Sequence, residues 1–147
     1  MKVKFTVFGN PVAKGRPKFA RQGPYVRTYT PEKTANYETL VRLEYERQCD
    51  GLRFEKDIPV EIRIDAYFQV PKSVSKKKSR EMLDGKIRPT KKPDLDNVCK
   101  SLQDGLNGIA YYDDSQIVGI FVQKFYGDQP RVEVVISEAG ENGEEIA

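Results

Sequence analysis

Four aspartates and one lysine in the second half of the sequence are of the types that can perform chemistry together. Asp94 and Asp96 are separated by a single residue, and Lys100 follows one helical turn later. Asp113 and Asp114 form a second acidic pair nearby. The sequence contains no histidine, which excludes an imidazole base, a Ser-His-Asp triad and a histidine-held metal. Any catalysis must therefore rest on carboxylates, lysine, tyrosine or a metal held by oxygen atoms.

The first pair has two interpretations on the residues alone. A helix is predicted over 94–107, with Asp94 at its start and with Asp96 and Lys100 on its polar face. The arrangement projects carboxylates and an ammonium from one helix start. It also fits ordinary helix stabilisation, in which Asp94 caps the helix and Asp96 forms an i,i+4 ion pair with Lys100. Both interpretations stay open at this point.

The second pair is equally ambiguous. Asp113 and Asp114 stand directly before a predicted strand, so a tight return of the chain could bring them beside the helix start. Neighbouring side chains of a strand point to opposite faces, so only one of the two could face a shared site. The alternative is a polar turn with no chemical role.

These residues must be positioned by helices and strands. The pattern of helices and strands in the sequence predicts a single α/β (α+β) domain with a mixed β-sheet and two principal helices. The first helix is expected from a Thr30 cap and Pro31 to Asp50, with Tyr37, Leu40, Val41 and Tyr45 on its apolar stripe. A shorter helix is expected over 75–83. Strands are predicted at 2–8, 59–70, 116–126 and 131–136, the last two joined by a hairpin turn at 127–130.

Two further stretches lack predicted regular structure. Glycine and proline after residue 9 predict a long loop up to the first helix. The domain is expected to span 1–137, with 138–147 as an acidic, disordered tail.

Cys49 and Cys99 have neither metal-site spacing nor disulfide density and are expected to be core thiols. No apolar run approaches the ~20 residues of a membrane span, so a cytoplasmic protein is expected.

The net charge of +3 hides two basic stretches. Residues 14–30 hold five basic side chains and no acid, and residues 72–92 hold nine against two acids. Such clustering favours a polyanionic partner, although charge runs are often simply solvated. The candidates for phosphate contact are Lys14, Arg16, Lys18, Arg21, Arg27, Lys91 and Lys92.

The acidic segments resemble a known family. Pro93 to Asn97, then Lys100, then Asp104-Gly105-Leu106 and the run from Asp113 to Val118 are similar, in order and nearly in spacing, to the RusA family of Holliday junction resolvases. The resemblance is dense over these segments and extends more loosely to residues 14–17 and 29–31, which resemble phage and Gram-positive members. One departure is Pro93, where some members carry arginine.

The resemblance implies a Mg²⁺-dependent endonuclease that acts as a homodimer on branched DNA, with Mn²⁺ as a substitute cation. By motif, the catalytic residues would be Asp94, Asp96, Asp114 and Lys100, and the metal ligands Asp94, Asp96 and Asp114, with Asp113 as the doubtful fourth. Mg²⁺ prefers carboxylate and water oxygens and suits phosphodiester hydrolysis. A two-fold dimer would present two identical sites to a four-way junction, for paired symmetric nicks in recombination and repair.

Two competing functions remain at this stage. The same acids would cut flaps or forks if the basic surface presented them. In a non-catalytic DNA-binding module, the aspartates would only stabilise a helix. Metal-dependent nicking of a synthetic junction separates this module from both enzymes.

Overall fold

The structure is a computed structural model that describes residues 1–15, 18–29 and 32–140, without the side chains of 18–22 and 25–29. It contains six strands and three α-helices in the described residues, in a single α+β domain with a mixed sheet, which confirms the predicted class. In chain order the elements are β1 Lys2–Phe8, β2 Lys18–Gln22, β3 Tyr25–Tyr29, α1 Glu32–Cys49, β4 Val60–Gln69, α2 Lys76–Leu83, α3 Leu95–Leu106, β5 Ile117–Gly127 and β6 Arg131–Glu138.

The main sheet has the strand order β1-β6-β4-β5. β4 pairs in parallel with β5 and antiparallel with β6, so it lies between them. The predicted hairpin at 127–130 is therefore wrong, because β5 and β6 do not pair with each other. The connection instead crosses the end of β4, where a Cβ on Gly127 would lie 3.0 Å from the Cβ of Tyr67. Turn residues report a local reversal of the chain, but they do not report which strand becomes the neighbour.

The core lies between the sheet and the helices α1 and α3. β4 alternates as predicted, and its inward residues Val60, Ile62, Ile64 and Ala66 are at most 1% exposed. Each buried aliphatic side chain of this size contributes roughly 1.5–3 kcal/mol relative to exposure. Across the layers, the rings of Phe5 and Tyr45 meet edge to face at 5.3 Å.

The first helix buries a slightly different stripe from the predicted one. Tyr37, Val41 and Tyr45 are buried as expected, and Thr34 joins them. Leu40 is 38% exposed, because the i, i+3 and i+4 spacing of the other four leaves it at the edge of the stripe. Both cysteines are free, with Cys99 buried and Cys49 packed against the core.

The predicted long loop after residue 9 is wrong in part. Strands β2 and β3 form a two-stranded antiparallel sheet closed by a turn at Gly23, whose φ is 58°. Glycine accommodates this left-handed conformation, so it closes a hairpin rather than excluding regular structure. Thr30, Pro31 and the acidic residues 141–147 lie outside the described residues, and β6 continues to Glu138.

Among the described helices, none combines the length and the apolar character that crossing a lipid bilayer demands.

Candidate active site

The start of α3 carries two carboxylates, Asp94 at the N-cap and Asp96 in the first turn. Asp94 occupies the N-cap position in an extended conformation, with φ −70° and ψ 145°, yet its side chain makes no capping hydrogen bond. Asp96 and Lys100 are exposed on the helix. Within the described part of the chain, no ion pair joins the two. Among the described residues there is thus neither a capping hydrogen bond to the Asp94 side chain nor an Asp96–Lys100 ion pair, although both acids lie where the helix dipole favours negative charge.

Asp113 does have a structural role. It caps a single 3-10 turn formed by Asp114–Gln116, and its carboxylate accepts a 3.0 Å hydrogen bond from the backbone N–H of Ser115. Hydrogen bonds from Ser115 hold the pKa of Asp113 below its ordinary value. The two acids lie in a cap and a turn rather than in a strand, so their different orientations do not come from strand alternation.

Asp114 is the partly buried member of the pair. Its Oδ1 is buried and has no hydrogen-bond partner among the described atoms. Burial raises the pKa of Asp114, and the negative charges of Asp104 and Asp113 raise it further, against a hydrogen bond from Tyr111 and the charge of Lys100. The chain thus brings Asp114 within electrostatic reach of Asp104 and Lys100 on α3. Its return to the helix start at Asp94 stays a prediction.

Gln116 holds this turn in place, a role that the sequence analysis missed. Its Oε1 accepts hydrogen bonds from the backbone N–H groups of Tyr112 at 2.8 Å and Asp113 at 3.1 Å. Its Nε2 donates to the carbonyl oxygens of Glu55 and Ile58. The signal was present, because Asp followed three residues later by Gln is the pattern of a capping box.

Asp104 also belongs to this neighbourhood and was given no role from the sequence. Its Oδ2 lies 3.0 Å from the Nζ of Lys14, which is 2.7 Å from Glu38 Oε1. Lys14 was a candidate for phosphate contact, but the structure commits its ammonium to two carboxylates of the protein. The partner could not be read from the sequence, because α1 and α3 meet only in the folded chain.

The remaining basic candidates are placed only in part. Lys91 and Lys92 are exposed just before α3, and Lys92 shares a cleft of about 590 Å³ with Asp94. Lys18, Arg21 and Arg27 lie on β2 and β3, with side chains outside the described residues, and Arg16 lies wholly outside them. The cleft is lined by Ala13, Lys14, Lys92, Pro93, Asp94 and Asn97.

The carboxylates of the candidate site are of the type that binds a hard divalent cation, but in the described part of the chain they do not stand together as a complete ligand set. Carboxylate oxygens are the ligands that such a cation prefers, and the unpartnered Oδ1 of Asp114 is a buried acceptor without a donor. Among the described residues, however, no three acidic or cysteine side chains stand together as a metal-binding group. Asp94, Asp96, Asp113 and Asp114 therefore stay predicted ligands.

Comparison with known proteins identifies the family. The family described as endodeoxyribonuclease RusA matches residues 9–137. An uncharacterised protein of Bacillus subtilis (strain 168), YqaN, is 43% identical over 140 residues, covering 92% of this chain and 96% of that protein. A crossover junction endodeoxyribonuclease, rusA, of Lactococcus phage r1t is 31% identical over 113 residues, covering 75% of this chain and 76% of the phage protein. This chain belongs to the RusA family of endodeoxyribonucleases.

Proposed function

We propose that this endonuclease resolves four-way DNA junctions as a homodimer, by Mg²⁺-dependent hydrolysis that leaves paired symmetric nicks. The name of the lactococcal phage relative, a crossover junction endodeoxyribonuclease, supports the substrate. The basic stretches 14–30 and 72–92 support a polyanionic partner. Two-fold symmetry would give each of two opposing strands its own site.

The observation that carries the proposal is the state of Asp114. A buried carboxylate oxygen with no partner is costly unless something binds it, and no described residue donates a hydrogen bond to the Oδ1 of Asp114. Asp94 is similarly uncommitted at the start of α3. A divalent cation held by Asp94, Asp96 and Asp114 would supply charge neutralisation at the scissile phosphate.

Lys100 takes a separate role in this proposal. Its positive charge is felt at Asp114, where it lowers the pKa of the carboxyl against burial and the neighbouring acids. An ammonium there can stabilise the extra negative charge of the transition state or orient the attacking water. The basic residues Lys92, Lys18, Arg21 and Arg27 would hold phosphates of the junction arms.

Matched junction, flap and linear duplex substrates test the substrate preference. We expect Mg²⁺ to support cleavage of the junction at two symmetry-related positions, with ligatable ends, and Mn²⁺ to substitute for it. Chelation should abolish cutting and leave binding. Preferential cutting of the flap would instead assign a flap or fork nuclease, and monomer sedimentation in the presence of junction would remove the dimer.

Variants of the acids test the residues. Asp94→Asn, Asp96→Asn and Asp114→Asn each remove charge and keep size, so each should fold and bind junction while losing cleavage. Asp113→Asn tests the doubtful fourth ligand: asparagine is also a good cap, so the variant should fold, and retained cleavage would leave Asp113 with its capping role alone. A wild-type cleavage rate in any of the first three would take that residue out of the catalytic set.

A further inference from the structure

Residues 12–15 precede the hairpin 18–29 and are attached to both α1 and α3. The backbone N–H of Lys14 donates to the carbonyl oxygen of Asn97 at 2.9 Å. The Ser101 hydroxyl donates to the carbonyl oxygen of Val12. The backbone N–H of Gly15 donates to Thr34 Oγ1 at 3.0 Å. Residues 12–15 are therefore held against the first two turns of α3 and the start of α1, close to Asp94.

Lys14 adds an ionic connection between the same two helices. Its Nζ lies 2.7 Å from Glu38 Oε1 on α1 and 3.0 Å from Asp104 Oδ2 on α3. The three side chains are 20%, 14% and 25% exposed, so solvent reaches the ion pairs only partly. Burial alone would lower the pKa of Lys14, but the hydrogen bonds and charges of Glu38 and Asp104 outweigh it and raise the pKa. The lysine is thus charged at neutral pH and committed to the protein.

The bridge lies beside the acidic helix start, because Lys14 lines the same cleft as Asp94 and Asn97. The backbone of Asp104 is also fastened, because Arg42 of α1 donates to the carbonyl oxygens of Gly105 at 3.0 Å and Asp104 at 3.3 Å. Without Lys14, the carboxylates of Glu38 and Asp104 would face each other unscreened and Asp104 would be pushed towards a different position.

We propose that Lys14 is a positioning residue for the cleavage reaction and not a phosphate contact. By bridging Glu38 and Asp104 it ties α1 to α3, and it anchors residues 12–15, which run past the cleft at Asp94 into the hairpin 18–29. The proposal rests on the proposed function for its kinetic consequences. Its structural part is the attachment of residues 12–15 to α1 and α3, here called the clamp. The clamp does not depend on the proposed function.

Three variants separate positioning from phosphate contact. Lys14→Met keeps the aliphatic stem and removes the charge, and it should slow single-turnover junction cleavage on the order of tenfold or more, because small displacements in a site are costly. Junction affinity and its salt dependence should match the wild type. Lys14→Arg keeps the charge and should restore most of the rate. Lys4→Met, on the exposed side of β1, is the matched loss of one charge and should cleave normally.

Glu38→Gln separates a positioning lysine from a phosphate-binding lysine most sharply. It also provides a test if Lys14→Met does not fold. A positioning lysine predicts slower cleavage when Glu38 is neutralised, with a loss that does not add to that of Lys14→Met in the double variant. A phosphate-binding lysine predicts the reverse, since release from Glu38 would free it for DNA and tighten binding. Three outcomes would overturn the proposal. They are tighter DNA binding with unimpaired cleavage in Glu38→Gln, additive losses of rate in the double variant, and a flatter salt dependence of binding in Lys14→Met.

Amide hydrogen exchange distinguishes failure of this inference from failure of the proposed function. If the wild-type protein cuts no junction, the proposed function fails. The rate of amide exchange at residues 12–15 still reports whether Lys14 holds this segment against the helices. Exchange there should be faster in Lys14→Met than in wild type and Lys14→Arg. Equal exchange in all three would refute the clamp, whatever the enzyme cuts.

Discussion

At the scale of single residues, the structure divides the work of two adjacent aspartates. Asp113 is exposed and caps a turn, whereas Asp114 buries an oxygen, Oδ1, that no donor among the described residues satisfies. The directions of their pKa values agree with this division, because hydrogen bonds lower the pKa of Asp113 and burial raises that of Asp114. A residue that costs stability in the free protein is the one expected to contact a ligand.

This difference predicts opposite effects on stability. The raised pKa of Asp114 means that its favourable contribution is present at low pH and is lost as pH rises through its folded-state pKa, above the ordinary 3.8. In chelator, Asp114→Asn should therefore raise the melting temperature at pH 7, on the order of 1–3 °C. Asp113→Asn should not raise it, because the lowered pKa makes ionised Asp113 stabilising at that pH. Calorimetry at pH 4 and pH 7 checks both, and a lower melting temperature for Asp114→Asn would contradict the argument.

Lys100 gives a second residue-scale prediction. As a surface lysine with no ion pair to Asp96, it would contribute almost nothing to stability or rate. As a donor to the transition state, its replacement by alanine should reduce single-turnover cleavage about 100-fold, with junction binding nearly intact. Lys100→Arg should also be impaired, since the planar guanidinium does not replace a compact ammonium. Cleavage by Lys100→Ala within a few-fold of wild type would exclude the catalytic role.

At the scale of elements, the site depends on how closely α1 and α3 approach. Gly105 on α3 faces Val41, and a Cβ at Gly105 would lie 3.1 Å from the Val41 side chain and 3.2 Å from the Glu38 carbonyl oxygen. The same short separation lets Lys14 reach both Glu38 and Asp104. The glycine is thus explained by packing between helices rather than by its backbone conformation.

Gly105→Ala tests this contact. Alanine gains up to about 1 kcal/mol in helix propensity, but overpacking against a fully buried Val41 and a backbone oxygen costs about 1–3 kcal/mol. We expect a net loss of stability in urea unfolding and slower junction cleavage. Adding Val41→Ala relieves the side-chain overlap, so the second substitution should cost less in the Gly105→Ala background than in the wild type. An increase in stability for Gly105→Ala alone would show that the helices can separate without cost.

At the scale of the whole molecule, charge is distributed unevenly. The two basic stretches both precede the acidic helix start in sequence, and Lys92 shares the cleft at Asp94. In the proposed function, acidic groups at the site would repel DNA, so affinity would come from the basic residues. The aspartates would then bind a cation, and the basic residues would hold the substrate.

Junction affinity should therefore fall steeply with salt. Each neutralised phosphate contributes roughly 0.9 to the slope of log affinity against log salt on duplex DNA. A paired replacement of Lys91 and Lys92 by methionine should lower the slope by one to two such contributions, with cleavage at saturating enzyme retained. Fluorescence anisotropy over a salt series measures this. A nearly flat dependence for the wild type would argue against these stretches as the DNA surface.

Much of the fold followed from the sequence because it rests on local periodicity. The alternation of β4 and the apolar stripe of α3 each repeat within a few residues, so the elements and their buried faces could be predicted. The Asp-x-Asp helix start and the later acidic pair were recognisable for the same reason. Only their residue types and spacing were needed.

What the tertiary structure decided concerns neighbours that are distant in sequence. The position of β4 between β5 and β6, the bridge from Lys14 to Glu38 and Asp104, and the anchoring of the Asp114 turn by Gln116 all join separated segments. A lysine in a basic stretch looks the same in sequence whether it binds phosphate or a partly buried carboxylate of its own chain. Its role depends on which groups the packing of α1 on α3 brings within hydrogen-bond distance, and that packing is a property of the whole core.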